Sequence, residues 1–145
     1  AAIGIAETIH AANRGENLTV IFVNNGVYGM TGGQMAPTTL IGQRTTTTVE
    51  GRNPPLHGWP LPILDMLKVL PGVYYLERRS LFSPQEVKEA KRAIRQAFVN
   101  QIEGKGFSLV EILSPCPTHW KMKPLEALKW IEEVVSRIYP LGRVK

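Results

Sequence analysis

A run of asparagine, glycine and hydroxyl residues follows the first strongly apolar segment of the chain. This run, VNNGVYGMTGGQ, extends from Val23 to Gln34. The side-chain amides of Asn24 and Asn25 offer oxygens that can bind a hard cation without adding negative charge. Because neutral donors suit a cation that already carries an anion, the run predicts a site for a metal-bound anion.

Magnesium is the cation that this arrangement fits. Mg²⁺ commonly takes one or two protein oxygens and completes its octahedron with phosphate oxygens and water. Asn25 can provide a side-chain oxygen and Val27 a main-chain carbonyl, because alternate residues of an extended segment point the same way. The residues that add a hydroxyl or let the backbone approach a ligand closely are Gly29, Thr31, Gly32 and Gly33.

An ordinary turn explains part of this pattern equally well. Asn25-Gly26 is among the commonest turn dipeptides, and the segment 31–33 can form a simple loop. Residue types alone therefore leave both a ligand site and a plain turn open.

Helical and extended patterns alternate along the chain around this run. Apolar residues at helical spacing predict helices, and short apolar stretches rich in β-branched and aromatic residues predict strands. The predicted order is a helix at 1–13, a strand at 18–23, an irregular segment from Asn24 to about Pro60, a helix at 61–70, a strand at 73–79, a helix after Ser83, a strand at 107–113 and a helix from Pro124. This order predicts one α/β domain over residues 1–145, with a doubly wound and mostly parallel sheet.

Two of these elements carry more detailed expectations. The strand at 18–23 is almost wholly apolar, which is typical of a central parallel strand covered on both faces. The longest helix has Ser83 as its N-cap, Pro84 at its first position and Glu86 in a capping box. Its predicted apolar face consists of Val87, Ala90, Ile94, Ala97, Phe98 and Ile102.

Ligands of doubly wound sheets bind at the carboxyl ends of the strands. The two candidate places are therefore the turn after Val23 and the loop after Leu113. Cys116 lies in that second loop, where a free cysteine more often packs than reacts unless a His or Lys partner activates it. The run from Thr45 to Thr48 suits an interface, although its residues indicate no mechanism.

Three aromatic side chains outside the run also bear on the site. His57, in the irregular segment, can face a substrate or a partner, but a structural histidine is the more common explanation. Trp120 and Trp130 are typical of a core or a subunit interface.

Composition narrows the classes of protein. With 145 residues, 43% of them hydrophobic, the chain can form one domain with a real core. Its single cysteine excludes a disulfide framework or a cluster held by its own thiols, so we expect a reducing compartment and therefore the cytoplasm. No apolar run approaches the roughly 20 residues that cross a bilayer. The net charge of +5 is spread along helices, so neither a membrane nor a nucleic-acid partner is expected.

The segment NNGVYGMTGGQMAPTT closely resembles the signature of the thiamine-diphosphate-binding (beta-type) subunit of 2-oxoacid:ferredoxin oxidoreductases. The segments IGQRTTTTVEGRNP, RRSLFSPQEV and EILSPCPTHW resemble the same family, so the likeness covers essentially the whole chain. Within the family, the chain is most similar to members that act on branched-chain 2-oxoacids such as 2-ketoisovalerate, with 2-oxoglutarate enzymes next.

The resemblance implies the PP-type fold of thiamine-diphosphate enzymes. Their diphosphate motif begins with Gly-Asp-Gly and ends in Asn-Asn, which Asn24 and Asn25 match. The beginning of the motif would lie upstream of Ala1. We therefore expect an N-terminally truncated chain, the C-terminal portion of a thiamine-diphosphate-binding domain.

The resemblance also implies roles for single residues. Asn25 and the carbonyl of Val27 would ligate Mg²⁺, and Asn24, beside them in the motif, would also bind the cofactor. Met30 would place an apolar side chain beside the thiazolium. The residues that would lie along the diphosphate or continue the loop toward the substrate are Gly29, Thr31, Gly32, Gly33 and Gln34.

The reaction implied by the resemblance is oxidative decarboxylation of a 2-oxoacid to an acyl-CoA, with electrons passed to ferredoxin. An alpha-type subunit would carry the pyrimidine-binding domain, so we expect a hetero-oligomer. The iron–sulfur clusters would belong to other subunits or to sequence upstream, because one cysteine cannot hold them. No catalytic residue is assigned to this chain, which alone is expected to be inactive.

Three alternatives stay open at this point. A non-oxidative thiamine-diphosphate decarboxylase or synthase would need no ferredoxin. A truncated relic would fold without binding the cofactor. A basic nucleic-acid-binding module would show an affinity that falls steeply with salt.

Overall fold

The computed structural model describes residues 3–145, so the first two positions of the helix predicted at 1–13 lie outside the described residues. The α-helices within residues 3–145 are, in chain order, α1 (Ile5–Arg14), α2 (Pro54–His57), α3 (Ile63–Leu67), α4 (Pro84–Ile102), α5 (Pro117–Trp120), α6 (Pro124–Trp130) and α7 (Ser136–Ile138). A π-helical segment, Ile131–Val135, joins the last two, so the helix predicted from Pro124 is confirmed with a distorted middle. No helix within residues 3–145 is long and apolar enough to cross a membrane.

A four-stranded sheet forms the centre of the domain. Its strands are β1 (Thr19–Asn24), β4 (Val73–Ser80), β5 (Phe107–Leu113) and β6 (Gly142–Arg143), whereas β2 (Val27–Tyr28) and β3 (Gln34–Met35) form a separate antiparallel pair. The order across the sheet is β1-β5-β4-β6. The first three of these strands run parallel and only β6 is antiparallel, which confirms a mostly parallel sheet.

Helices cover both faces of this sheet, which confirms the doubly wound arrangement. On one face, α1 and α3 pack on β4 and β5 through an apolar cluster that includes Ala12, Leu64 and Phe107. On the other face, α4 packs on the same strands. Every residue of β5 is buried, because this strand lies between two neighbours and under helices on both sides.

The prediction that the first strand is central was wrong for the residues described. β1 pairs only with β5 and forms an edge of the sheet. Ile21 and Val23, which alternate on one side of β1, are 38% and 59% exposed. The apolar run correctly indicated a strand, but the run carries no information on whether a neighbour covers its second edge.

Helix α4 begins where its capping residues predict but buries a different face. Ser83 Oγ accepts a hydrogen bond from the main-chain N–H of Glu86, with the proline at the first helical position. Phe98 and Ile102, predicted to face the core, are exposed. The buried residues, spaced three and four apart, are Ala90, Ala93, Ala97 and Asn100. Small side chains let the helix approach the sheet closely. Close packing on the sheet, rather than the position of the larger apolar residues, therefore decides which face of α4 is buried.

The irregular segment between β3 and α3 is ordered by one buried cation, Arg52. This residue is 4% exposed. It donates hydrogen bonds to the main-chain carbonyls of Ala36, Pro37, Thr39, His57, Gly58 and Trp59. Burial lowers the pKa of Arg52 from its usual value, against a smaller opposing influence of Tyr139. The six carbonyls replace solvent around a charge that has no carboxylate partner among the described residues.

Candidate functional site

The two loops predicted from the strand ends lie side by side. Asn24 at the end of β1 is in register with Leu113 at the end of β5. The main-chain N–H of Ser114 donates to the carbonyl of Asn24 at 3.0 Å. The parallel register thus brings the turn at residues 24–26 and the loop containing Cys116 together at the carboxyl edge of the sheet, as predicted.

Asn24 holds the turn to the sheet from inside. Its side chain is 6% exposed, and its amide nitrogen donates to Glu111 Oε1 at 2.7 Å. Its amide oxygen accepts from Thr38 Oγ1 at 2.7 Å and from the N–H of Gly26 at 3.1 Å. Both polar atoms of the side chain therefore bind the protein itself, so the structure supports a positioning role for Asn24 rather than side-chain contact with a cofactor.

A buried ion pair lies beneath Asn24. Arg78 Nε donates to Glu111 Oε2 at 2.6 Å, and both side chains are at most 2% exposed. Arg78 Nη1 donates to the carbonyl of Pro140 at 3.2 Å. The contacts run from β4 through β5 to β1 and end at the turn. Sequence reasoning missed this group, although a glutamate within the apolar strand FSLVEIL was a usable signal.

Asn25 lies closer to the surface than Asn24, whereas Val27 is buried. Asn25 is half-buried, and its Oδ1 accepts from the N–H of Val27 at 3.3 Å. Because an amide oxygen has two lone pairs, this long bond leaves Oδ1 able to take a cation. Trp120 Nε1 donates to the carbonyl of Asn25 at 3.0 Å and fixes this residue from the side of α5. The structure thus orients the residue that the sequence predicts as a magnesium ligand.

The glycine-rich part of the run forms a short turn between β2 and β3. The N–H of Gly33 donates to the carbonyl of Tyr28 at 2.8 Å, and the N–H of Gly32 to that of Gly29 at 3.4 Å. Thr31 Oγ1 donates to Gln34 Oε1 at 2.7 Å, within the same turn. These hydrogen bonds close the turn. They let so polar a run keep one conformation without an apolar core.

The tip of this turn comprises Gly29, Met30 and Thr31. Within residues 3–145, the N–H groups of Gly29, Met30 and Thr31 meet no protein acceptor. The Met30 side chain is fully exposed. Three successive free N–H groups are the feature that binds phosphate oxygens in many loops, and an exposed methionine offers an apolar contact to a ligand or a partner.

Helix α5 packs against this turn through a histidine. A Cβ built on Gly33 would lie 2.6 Å from His119 Nδ1 and 2.9 Å from its Cβ. Gly33 also has a φ of 81°, so only glycine suits this position. A Cβ built on Gly29 would lie 3.5 Å from Cys116 Sγ, which confirms that Cys116 lies at the site. Sequence reasoning missed His119, because nothing local in THW indicates contact with residues far upstream.

The threonine run acquires a structural explanation. Thr45 and Thr48 are buried and share a hydrogen bond of 2.7 Å between their hydroxyls, closing a tight turn. Thr46 N–H donates to the carbonyl of Gly33 at 3.0 Å, and Thr47 Oγ1 accepts from the N–H of Met35 at 2.9 Å. The threonine turn therefore braces the glycine-rich turn from the side opposite β2.

Two other aromatic predictions are resolved by contacts. His57 Nδ1 accepts from the N–H of Asn53 at 3.0 Å, which ties it to the first turn of α2. The rings of Trp120 and Trp130 pack edge to face with centroids 4.7 Å apart. Both observations support structural roles within this domain.

The donor chemistry fits one side of a magnesium and diphosphate site. In the part of the chain that the structure describes, no group of three or more His, Cys, Asp or Glu residues is placed to hold a metal ion. The oxygens that fit are neutral ones at Asn25 and Val27, beside free N–H groups at the turn tip. Neutral ligands suit a cation whose charge is balanced by phosphate, so the residues fit the cofactor in kind and supply part of its contacts.

Comparison with known proteins supports this assignment. The family model described as "Thiamine pyrophosphate enzyme, C-terminal TPP binding domain" matches residues 1–112. The ketoisovalerate oxidoreductase subunit VorA of Methanothermobacter marburgensis is 49% identical over 97% of this chain, which spans 30% of the length of VorA. The 2-oxoglutarate synthase subunit KorB of Archaeoglobus fulgidus is 38% identical over 94% of this chain and 46% of its own length.

A solved structure has a similar fold. It is the 2-oxoglutarate:ferredoxin oxidoreductase from Magnetococcus marinus with 2-oxoglutarate, coenzyme A and succinyl-CoA bound. The match has a TM-score of 0.66 and 24% identity, and covers 91% of this chain and 40% of that one. At this identity the likeness concerns the fold, and it confirms the predicted α/β architecture. With the family match over 112 of 145 residues, it follows that the chain belongs to the C-terminal TPP-binding domain family of thiamine pyrophosphate enzymes.

Proposed function

We propose that the chain is the part of a 2-oxoacid:ferredoxin oxidoreductase that binds Mg²⁺-thiamine diphosphate. The observation that carries the proposal is the pairing of an oriented Asn25 with three free N–H groups in one turn. The names of the relatives support the same class of reaction. The reaction would be oxidative decarboxylation of a 2-oxoacid to its acyl-CoA.

A branched-chain 2-oxoacid is the proposed substrate. The supporting observation is the higher identity to ketoisovalerate oxidoreductase subunits, 49% and 48%, than to the 2-oxoglutarate synthase subunit of Archaeoglobus fulgidus, 38%. 2-Oxoglutarate is the second candidate. 2-Oxoglutarate carries a second carboxylate, whereas a branched-chain 2-oxoacid has an apolar side chain in its place. A direct comparison of the kcat/KM values for the two acids therefore decides between them.

The chain's own residues would hold the cofactor at its charged end. Asn25 Oδ1 and the carbonyl of Val27 would ligate Mg²⁺, and the N–H groups of Gly29, Met30 and Thr31 would bind diphosphate oxygens. The Met30 side chain would lie against the thiazolium. When bound, thiamine diphosphate supplies the nucleophilic carbon and the electron sink for loss of carbon dioxide.

Positioning is the main contribution of the surrounding residues. Trp120 fixes the carbonyl of Asn25, and Asn24 ties the same turn to β5 through Glu111. Because these contacts exist in the protein alone, the ligands of the cation need little reorganisation when the cofactor binds. His119 and Cys116 border the turn on the side of α5.

Other subunits would complete the enzyme. An alpha-type subunit would bring the pyrimidine-binding domain, and ferredoxin would accept the electrons. The iron–sulfur clusters would lie outside this segment, since its one cysteine cannot hold a cluster. We therefore propose a cytoplasmic hetero-oligomer in which this chain provides half of the cofactor site.

Calorimetric titration of Mg²⁺-thiamine diphosphate tests the proposal. We expect binding to the assembled oxidoreductase and much weaker binding to the isolated chain. Asn25→Ala should abolish binding in the assembled enzyme, whereas Asn13→Ala, an exposed asparagine on α1, should leave it unchanged. Binding that is insensitive to Asn25→Ala would contradict the metal-ligand role, and its absence from the assembled wild-type protein would contradict the cofactor proposal.

Product analysis tests the oxidative course. With coenzyme A and oxidised ferredoxin present, we expect an acyl-CoA and reduced ferredoxin in fixed proportion. An aldehyde formed without ferredoxin would instead favour a non-oxidative decarboxylase.

A further inference from the structure

A cationic cavity of about 400 Å³ lies between the threonine turn and α5. Its lining includes the side chains of Arg44, His119 and Lys121 together with two threonines, Thr45 and Thr46. No acidic residue lines it. A concave surface with this lining concentrates positive potential, because low-dielectric walls focus the field of the charges.

The two permanent cations of this cavity are without partners. Within residues 3–145, Arg44 and Lys121 form neither a salt bridge nor a side-chain hydrogen bond. Other cations, such as Arg79 and Arg92, are paired with Glu77 and Glu89. The cavity therefore offers donors that are free to bind an oxyanion, and a guanidinium is suited to bidentate contact with carboxylate or phosphate.

The C-terminal end of α5 lies at this cavity. Lys121 has a φ of 54°, and it is the only non-glycine residue with positive φ in residues 3–145. Lys121 adopts this conformation as the C-cap of α5, with its N–H donating to the carbonyl of Pro117, so the end of the helix fixes its backbone beside the cavity.

The cavity adjoins the proposed cofactor site. His119 lines the cavity and also packs on Gly33 of the glycine-rich turn. Thr46, another lining residue, donates its N–H to the carbonyl of Gly33. A molecule held in the cavity would therefore lie beside the turn that carries the cofactor contacts.

A second, more apolar cavity of about 420 Å³ shares part of its wall with the first. Arg44 and Trp120 line both cavities, and Ile41, Met122 and Ile138 line the second. Volumes of this size are typical of sites for ligands much larger than a five-carbon acid. The combination suits a molecule with an anionic part and an apolar part.

We propose that Arg44 and Lys121 bind an oxyanion of a substrate in this cavity, either a phosphate of coenzyme A or the carboxylate of the 2-oxoacid. The inference rests on the proposed function, since it concerns the substrates of that reaction. The size of the two cavities favours the phosphate-bearing substrate. His119 and the threonines form the wall that joins this subsite to the cofactor turn.

Steady-state kinetics of the assembled enzyme test the proposal. The variant carries Arg44→Gln and Lys121→Gln together, and the matched control carries Lys88→Gln and Arg95→Gln, which remove two exposed, unpaired cations of α4. We expect the KM for one anionic substrate to rise roughly ten- to a hundredfold in the variant, as for loss of charged hydrogen bonds. The control should keep the wild-type values, and Mg²⁺-thiamine diphosphate should bind to both variants as to the wild type.

Separate KM measurements for each substrate identify the anion. A higher KM for coenzyme A, with unchanged use of the phosphate-free analogue pantetheine, indicates a phosphate. A higher KM for the 2-oxoacid alone indicates its carboxylate. Unchanged KM values for both substrates overturn the proposal, as does equal loss in the α4 control. When Arg44→Lys, which keeps the charge, replaces Arg44→Gln in the double variant, part of the lost affinity for the anion should return.

Direct binding separates failure of this inference from failure of the proposed function. Calorimetry with coenzyme A and with 2-ketoisovalerate measures the oxyanion subsite whether or not turnover occurs. If the assembled wild-type protein shows no thiamine-diphosphate-dependent turnover, the proposed reaction is contradicted. If wild type and the Arg44→Gln, Lys121→Gln variant then bind both anions equally, the subsite is contradicted as well, and a weaker affinity in the variant supports it.

Discussion

The two ends of the segment from Asn24 to Met30 are supported in opposite ways. At the inner end, Asn24 is buried and its side chain binds Glu111, Thr38 and the N–H of Gly26. At the outer end, Met30 is fully exposed and three N–H groups have no protein acceptor within the described residues. Internal hydrogen bonds thus pre-organise the part that orients the metal ligand, while the tip is left for the cofactor and for a partner.

Breaking the inner anchor should have the largest effect. Glu111→Ala leaves the buried Arg78 without its carboxylate and Asn24 without its acceptor. We expect a loss of about 3–5 kcal/mol in the free energy of unfolding, measured with urea, because an unpaired buried charge remains. Replacing both partners, with Glu111→Leu and Arg78→Met, should recover much of that loss. A single-variant loss below about 1 kcal/mol, the size seen for exposed ion pairs, would show that the pair is not the anchor.

Gly33, where the glycine-rich turn packs on His119, is expected to be the next most sensitive position. Gly33→Ala places a Cβ against the His119 ring and forces a residue with a side chain into a φ of 81°. We expect a loss of about 2 kcal/mol in unfolding free energy. The double variant Gly33→Ala, His119→Ala separates the two causes, because it relieves the clash and keeps the backbone strain. Full recovery in this double variant would show that the clash alone matters.

A smaller effect with a defined pH dependence is expected at Tyr139, whose hydroxyl donates to the carbonyl of Thr38 at 3.3 Å. Burial, and then the charge of Glu111, raise the pKa of Tyr139 to about 12. Since the pKa of an unfolded tyrosine is about 10, its contribution to stability is complete below that pH and is lost as the pH rises through the folded pKa. Tyr139→Phe should cost about 1 kcal/mol near pH 7 and should reduce the alkaline loss of stability. Urea titrations at several pH values compare the two slopes, and identical slopes would contradict the assignment.

The outer end should contribute least to folding and most to binding. Met30→Ala removes a side chain with no protein contact, so we expect a change below about 0.5 kcal/mol in unfolding free energy. In the assembled enzyme the same change should weaken thiamine diphosphate roughly tenfold, through lost apolar contact. Leu56→Ala, at another exposed apolar residue, is the matched control. A large loss of stability in Met30→Ala would contradict the division between the two ends.

Local sequence patterns predicted the site's location but only part of its construction. The apolar run ending at Val23 and the buried strand ending at Leu113 were sufficient to place the two loops at one edge of the sheet. The role of Asn24 was not predictable in the same way. An asparagine after a strand has the same appearance whether its amide faces a ligand or a glutamate 87 residues away.

The spacing of apolar residues in the sequence also mispredicted which surface of α4 is buried. In α4, Phe98 and Ile102 extend the apolar pattern, yet Ala93 and Asn100 occupy the buried positions. Close packing of a helix on a sheet selects small side chains, and the partner surface that makes this choice is absent from a one-dimensional pattern.

By itself, the sequence determined the features that depend on neighbours along the chain. These are the capped start of α4, the apolar strands and the polar, glycine-rich run that resembles a cofactor motif. Only the tertiary structure decided the contacts between distant segments: Arg78 with Glu111 beneath Asn24, His119 against Gly33, and Arg52 among six carbonyls. The physical reason is that propensity, capping and periodicity act over a few residues, whereas these contacts follow from strand register and packing, which bring residues together irrespective of their separation in sequence.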